Sequence, residues 1–241
     1  GGTGIYEAVD VEQGKIVAKV KTGGSPHNVV CSADGQHMFL SPVGNPNKIF
    51  VVETATHRVV DTIPLGTEAR PITVRRDKKR LYVQRNELAG FELVDVSDVN
   101  HCRILQTIHV ELTPEQQKVA RQAVPSHGIA LTPDEKELWV SVINYDLIAV
   151  FDATTEPPRQ IAQIATKRDP HWLTFSPDGK YSYISNTGAN EVQVVEVAAR
   201  RTVKRIDMGK PERILAGKPG MHAGGAGKGP KRILAVTVPQ F

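Results

Sequence analysis

Four side chains able to bind or polarise a ligand recur at one place in the 241-residue chain. His27, Arg70, His127 and His171 each stand seven residues before an aspartate: Asp34, Asp77, Asp134 and Asp178. Imidazole is a general base and a metal ligand near neutral pH, and guanidinium is a fork for anions. In "DPHWLTFSPDGKY" (169–181), His171 with Asp178 could pass for a base and its carboxylate. The aspartate, however, returns in every repeat, whereas a catalytic acid is needed once. Asp178 therefore reads as a turn residue, its carboxylate capping nearby backbone N–H groups while Gly179 takes positive φ.

The elements that must position these side chains follow from the same register. Five residues beyond each aspartate stands a large aromatic, Phe39, Tyr82, Trp139 or Tyr183. A second acid (Asp10, Glu53, Asp95, Asp152, Glu196) ends an alternating apolar run, with steps of 43, 42, 57 and 44 residues between successive acids. Each unit reads as four short strands: an apolar run after proline, a D-G-type turn, an aromatic-bearing strand, an alternating strand ending in the acid, and a strand closed by glycine. Four-stranded sheets repeated at this period are propeller blades, and the aromatics are expected to pack between neighbouring blades. The fold class is all-β, a β-propeller of four-stranded antiparallel blades.

The stretch "SPDGKYSYISNTGANEVQVVEVAARRTVKRIDMG" resembles the YVTN-type β-propeller repeat proteins, and the resemblance covers residues 4–216. The repeat containing "VRRDKKRLYVQRN" departs from it, lacking S-P-D-G. The resemblance implies a propeller, commonly seven-bladed and commonly exported, hence a periplasmic or extracellular location. It implies no single function, since its members include lactonase-like enzymes, surface-layer proteins and redox-enzyme propellers. A single propeller domain over 1–241 is expected, with a partial blade at 1–24 and blades at 25–67, 68–124, 125–168 and 169–209. A partial blade at 210–241 carries a Gly-rich spacer at 217–230. The mid-blade start favours an N-terminally truncated seven-bladed ring. The alternative is a closed five-bladed ring completed by "PERILAG" and "PKRILAVTVPQF".

The upper face, which carries the loops entering each first strand and those between second and third strands, is where function is expected. His27, Arg70, His127 and His171 open the innermost strands and should ring the mouth of the central channel. Imidazoles converging there could hold copper, zinc or iron. His127 and His171, in adjacent blades, form the core of any such site, His27 is the third candidate ligand, and Arg70 suits an anion. The structural alternative is a histidine following proline that bonds the adjacent blade. Glu68, Asp169 and Glu212 flank the mouth position. The 57-residue step holds an insertion in which Thr113–Ala123 reads as a helix, with Thr113 as N-cap, Pro114 at its first position and Gln116 completing a capping box. It either narrows the mouth or points outward as a docking element.

Other chemistry is excluded by what is missing. There is no G-x-S-x-G, H-E-x-x-H or C-x-x-C, and "GGAGKGPKR" lacks the Ser or Thr of a phosphate loop. His37, His57, His101 and His109 read as solvated turn or strand-end residues, and Cys31 and Cys102 lie too far apart in the repeat pattern to pair. The net charge of +4 is modest, and "RRDKKR" falls in a turn without stacking aromatics, which argues against nucleic acid. No apolar run is long enough to span a membrane as a helix. Two readings remain: a scaffold binding a small-molecule or protein ligand through the upper face, and a lactonase-like or metal-dependent enzyme using the mouth histidines.

Overall fold

A computed structural model of the protein describes residues 4–119 and 123–209. Two compact units are distinguished, Gly1–Val110 with Gln122–Pro125, and Glu111–Arg121 with Ser126–Phe241. In the first unit, β1 (Ile5–Asp10) and β2 (Lys15–Lys21) form a two-stranded sheet. Two four-stranded antiparallel sheets follow: β3 (Ser25–Cys31), β4 (His37–Val43), β5 (Lys48–Glu53) and β6 (Val59–Pro64), then β7 (Ala69–Val74), β8 (Arg80–Arg85), β9 (Gly90–Asp95) and β10 (Arg103–His109). The second unit holds α1 (Pro114–Gln117) and two more such sheets. These are β11 (Ile129–Leu131), β12 (Glu137–Val142), β13 (Leu147–Asp152) and β14 (Arg159–Ala165), then β15 (Pro170–Phe175), β16 (Tyr181–Asn186), β17 (Glu191–Glu196) and β18 (Arg201–Asp207). Strand order within each sheet is sequential, the meander of a propeller blade.

The recurring residues build these sheets in the same way each time. In the turn between first and second strands, Ser32, Thr132 and Ser176 donate their hydroxyls to Asp34, Asp134 and Asp178 at 2.7, 2.7 and 2.6 Å. Each of these aspartates also accepts a backbone N–H two residues on. The following residue takes left-handed φ: Gly35 at 70°, Lys78 at 57°, Glu135 at 58° and Gly179 at 71°. The divergent third repeat keeps the same turn, Arg75 pairing with Asp77 where the others use a hydroxyl. The second acids cap the turn after the third strand; Asp95 accepts from Ser97 and Asp152 from Thr154.

Burial between sheets supplies the core. In the first unit, Phe39, Ile49, Val51, Ile63, Leu81 and Val94 belong to one buried cluster shared by the β3–β6 and β7–β10 sheets. In the second unit, Trp139, Ile148 and Val150 pack with Leu173, Ile184 and Val195, and Trp139 meets Phe175 edge-on at 5.3 Å. Of the four register aromatics, Phe39, Tyr82 and Trp139 are fully buried. Tyr183, in the last described sheet, is half-buried.

Two expectations change. Among the described residues the helix of the insertion spans Pro114–Gln117, against an expected Thr113–Ala123 of which residues 120–122 lie outside the described residues. Its capping box is complete, with Thr113 Oγ1 accepting from Gln116 N and Gln116 Oε1 accepting from Thr113 N, but none of its residues is buried. Without an apolar face to pack, a helix gains little from lengthening beyond its cap. His37 is half-buried at the start of β4, where its N–H donates to Ser32 Oγ at 2.9 Å, and His57 is half-buried; His101 and His109 are exposed. Both cysteines are free thiols. His222, Glu212, the Gly-rich spacer and the two apolar pieces assigned to ring closure lie outside the described residues.

Candidate functional site

In three of the four described four-stranded sheets the residue expected at the mouth sits on a broken ladder, whereas β11 pairs with β12 without a shift. Between β3 and β4 the register shifts between Ser25 and Asn28, between β7 and β8 it shifts between Ala69 and Ile72, and between β15 and β16 it shifts between Pro170 and Trp172. Pro26, Pro71 and Pro170 lie at these places, and proline has no N–H to continue a ladder. The resulting bulges re-aim His27, Arg70 and His171 relative to a regular strand, a common device beside functional sites.

The second unit brings His127 and His171 together. Their rings stand 4.0 Å apart, centroid to centroid, with planes at 31°, and the Trp172 indole lies 5.7 Å from His127. His127 is held through its backbone: its N–H donates to Ser141 O at 3.1 Å, and Gly128 N donates to Ser141 Oγ. The same hydroxyl donates to His171 O at 3.4 Å, so one serine ties both histidine segments. Ser41 does the same for Arg70 O at 2.8 Å in the first unit. These serines stand in the Y-V-[ST]-N register, a signal that could have identified them from sequence.

His127 is buried, whereas the His171 side chain remains 29% exposed. Asp169 Oδ1 lies 3.5 Å from His171 Nδ1. Asp169 takes φ 62°; its N–H donates to Asp146 Oδ1 at 2.9 Å, its carbonyl accepts from Thr187 N at 2.8 Å, and its carboxylate accepts from Thr187 Oγ1. Burial pushes its pKa up, but the bonds from His171 and Thr187, with the charges of His171 and Arg168, outweigh burial and hold it below the usual carboxylate range. The acid flanking the mouth position is thus within reach of the imidazole. In the tautomer that places its proton on Nδ1, the ring donates to Asp169 and leaves Nε2 to bind a ligand atom.

In the first unit His27 and Arg70 have separate surroundings. The His27 N–H donates to Tyr6 Oη at 3.1 Å, and Tyr6 in turn donates to Asn28 O; burial pushes the Tyr6 phenol up to about 12. Arg70 Nε donates to Asn86 Oδ1 at 2.6 Å and Nη2 to Glu68 Oε2 at 2.8 Å, while Asn86 Nδ2 donates to the same Glu68 oxygen at 2.8 Å. Burial draws the Arg70 pKa down, and Glu68 opposes this. Glu68, Arg70 and Asn86 occupy the register positions of Asp169, His171 and Thr187. Sequence reasoning missed Asn86 and Thr187, although both stand sixteen residues after the mouth residue.

The stacked rings bear on metal binding. Imidazole lone pairs lie in the ring plane, so two stacked rings do not aim two nitrogens at one point; sharing an ion requires one ring to turn. Among the described residues, no three His, Cys, Asp or Glu side chains gather as a metal-binding group. No helix among them is long and apolar enough to cross a membrane.

Comparison with known proteins agrees with the fold. The chain is 28% identical over 167 residues to the seven-bladed β-propeller protein Rv1057 of Mycobacterium tuberculosis, covering 67% of this chain and 38% of that protein. It is similar in structure to the periplasmic gluconolactonase PpgL of Pseudomonas aeruginosa, with a TM-score of 0.68 at 19% identity, covering 85% of this chain and 63% of that one. It is likewise similar to the dihydro-heme d1 dehydrogenase NirN in complex with DHE, with a TM-score of 0.68 at 18% identity, covering 86% and 42%. The chain therefore spans less than half the length of the curated relative and of NirN. Residues 2–229 match the sequence pattern of one family through both units, and the chain belongs to that family, the cytochrome D1 heme domain family.

Proposed function

We propose that the chain is a ligand-binding propeller acting outside the cytoplasm, and that its ligand is a heme-type tetrapyrrole met by the His171 imidazole. One observation carries this reading: Asp169 engages Nδ1 of a part-exposed histidine. A carboxylate at Nδ1 favours the Nδ1–H tautomer, which leaves Nε2 as the ligand-binding nitrogen. A tetrapyrrole brings four nitrogens of its own and asks the protein for one imidazole, which suits a site with no three-residue donor cluster among the described residues. When bound, such a group would supply iron for redox or small-ligand chemistry. This chain's own part is to orient His171 through Asp169 and Thr187 and to present it against the His127 ring. The family name and the bound form of NirN support the ligand class, and the periplasmic relative supports the location.

Hemin titration of the purified protein, followed by its Soret absorbance, tests the reading. A saturable shift that is lost in His171→Ala is expected; a spectrum unchanged from free hemin overturns it. A second reading rests on the same pair, since Asp169–His171 also has the order of an orienting acid and a general base. Turnover of a lactone panel, abolished by His171→Ala, would place the protein with the lactonase-like hydrolases instead.

A further inference from the structure

The insertion that lengthens the third repeat lies against β14, the outermost strand of its sheet. Its hold on that strand is unusual in kind. Gln160 Oε1 accepts from Glu111 N at 2.9 Å and Gln160 Nε2 donates to Glu111 O at 3.0 Å, so one side-chain amide satisfies both backbone groups of one residue. Gln163 Nε2 donates to the same carbonyl at 2.6 Å, and Gln163 Oε1 accepts from Gln116 Nε2 at 2.9 Å. The segment leaves a shallow groove lined by Leu112, Thr113, Ile161 and Ala162, in which Leu112 is half-buried and Ile161 is 46% exposed. These contacts to Glu111 read backbone rather than side chain, so they would accept any extended chain with a suitable neighbour for Ile161.

We propose that the outer face of β14 is a binding surface for an extended polypeptide segment of a partner protein, and that Glu111–Thr113 occupies it in cis. The partner segment carries an aliphatic residue directly after the clamped one, as Leu112 follows Glu111. Backbone bonds supply affinity, and the apolar neighbour supplies selectivity, as in other extended-peptide sites. The insertion then acts as a built-in competitor that a partner must displace.

The test uses a variant with residues 111–123 replaced by a Gly-Ser linker and a fluorescent peptide of the sequence of residues 109–119. Anisotropy should show saturable binding to this variant and binding at least roughly tenfold weaker to the intact chain. Adding Gln160→Ala with Gln163→Ala to the linker variant should weaken binding about tenfold, the loss expected for one or two exposed hydrogen bonds. A folded linker variant that does not bind the peptide, or binds it equally without the glutamines, overturns the proposal. Should the linker variant fail to fold, hydrogen exchange in the intact chain decides. Gln160→Ala with Gln163→Ala should speed exchange of the Glu111 amide about tenfold while β13 stays protected. Unchanged exchange at Glu111 overturns the proposal.

Discussion

Gly128 lies against the backbone of His171. A Cβ at residue 128 would stand 3.0 Å from Trp172 Cα and 3.1 Å from the His171 carbonyl oxygen, closer than ordinary packing allows. The absence of that atom lets the segment carrying His127 approach β15, and the two imidazoles stack as a result. Gly128→Ala should therefore push the strands apart, costing about 1–3 kcal/mol as an overpacked contact. Urea denaturation measures the loss, and histidine side-chain NMR should show both imidazole environments changing together.

Trp139 ties the two sheets of the second unit. It is fully buried, meets Phe175 edge-on, and donates its indole N–H to Glu137 Oε2 at 2.8 Å. Trp139→Ala should cost about 3–5 kcal/mol. Trp139→Phe, which keeps most of the area and gives up the hydrogen bond, should cost less in the same denaturation experiment.

The difference between what recurs and what is local explains how far the sequence could be read. Asp34, Asp134 and Asp178 are legible because each repeats the same local bonds to near neighbours, and Phe39 and Trp139 because each fills the space between two sheets. The left-handed Lys78 and Glu135 are not, because the turn is fixed by its flanking hydrogen bonds and tolerates a residue other than glycine. At the site, His127 and His171 were visible by register, but Asp169 looked like a bystander. Its role depends on a left-handed φ and on Thr187, which stands eighteen residues further on. The start of the helix is legible because its capping box is a local signal, whereas its length depends on burial, which Pro114–Gln117 does not have.

The turn aspartates make stability depend on acid in a stated direction. Asp178 is held below the usual carboxylate range chiefly by the Ser176 hydroxyl, and Asp134 chiefly by that of Thr132. A depressed folded-state value contributes stability that is present above the unfolded value of about 3.9 and is lost as pH falls through the lower folded value. Asp134→Asn with Asp178→Asn should destabilise the protein more at pH 7 than near pH 2. Denaturation midpoints of the variant and the parent should converge on acidification, and a gap independent of pH would refute the assignment.

Asp169 should matter for ligand affinity more than for folding. Replacing the carboxylate that orients a ligating imidazole typically lowers affinity by about 10–100-fold. Asp169→Asn is expected to weaken hemin binding by an amount in that range. Thr187→Val should produce a smaller loss in the same titration, because it removes one bond to the carboxylate and leaves Asp169 beside His171.

Glu68 performs for Arg70 what Asp169 performs for His171, but with a charge on both sides. One oxygen of Glu68 accepts from Arg70 Nη2 and from Asn86 Nδ2, and Asn86 Oδ1 accepts from Arg70 Nε, which closes a triangle. The Arg70 side chain is 16% exposed and that of Glu68 26%, so solvent screens the pair only in part. Glu68→Ala leaves a largely buried guanidinium with Asn86 alone and should cost about 1–3 kcal/mol, the penalty of an unmet buried donor. Glu68→Gln keeps an acceptor for both donors while losing the charge, and should cost less than Glu68→Ala. Arg70→Gln in the Glu68→Ala background should recover part of the loss, because the buried charge goes with its partner. Urea denaturation of the three variants would show that order if the triangle is held by charge compensation, and equal losses for Glu68→Ala and Glu68→Gln would show that neutral hydrogen bonding contributes nothing there.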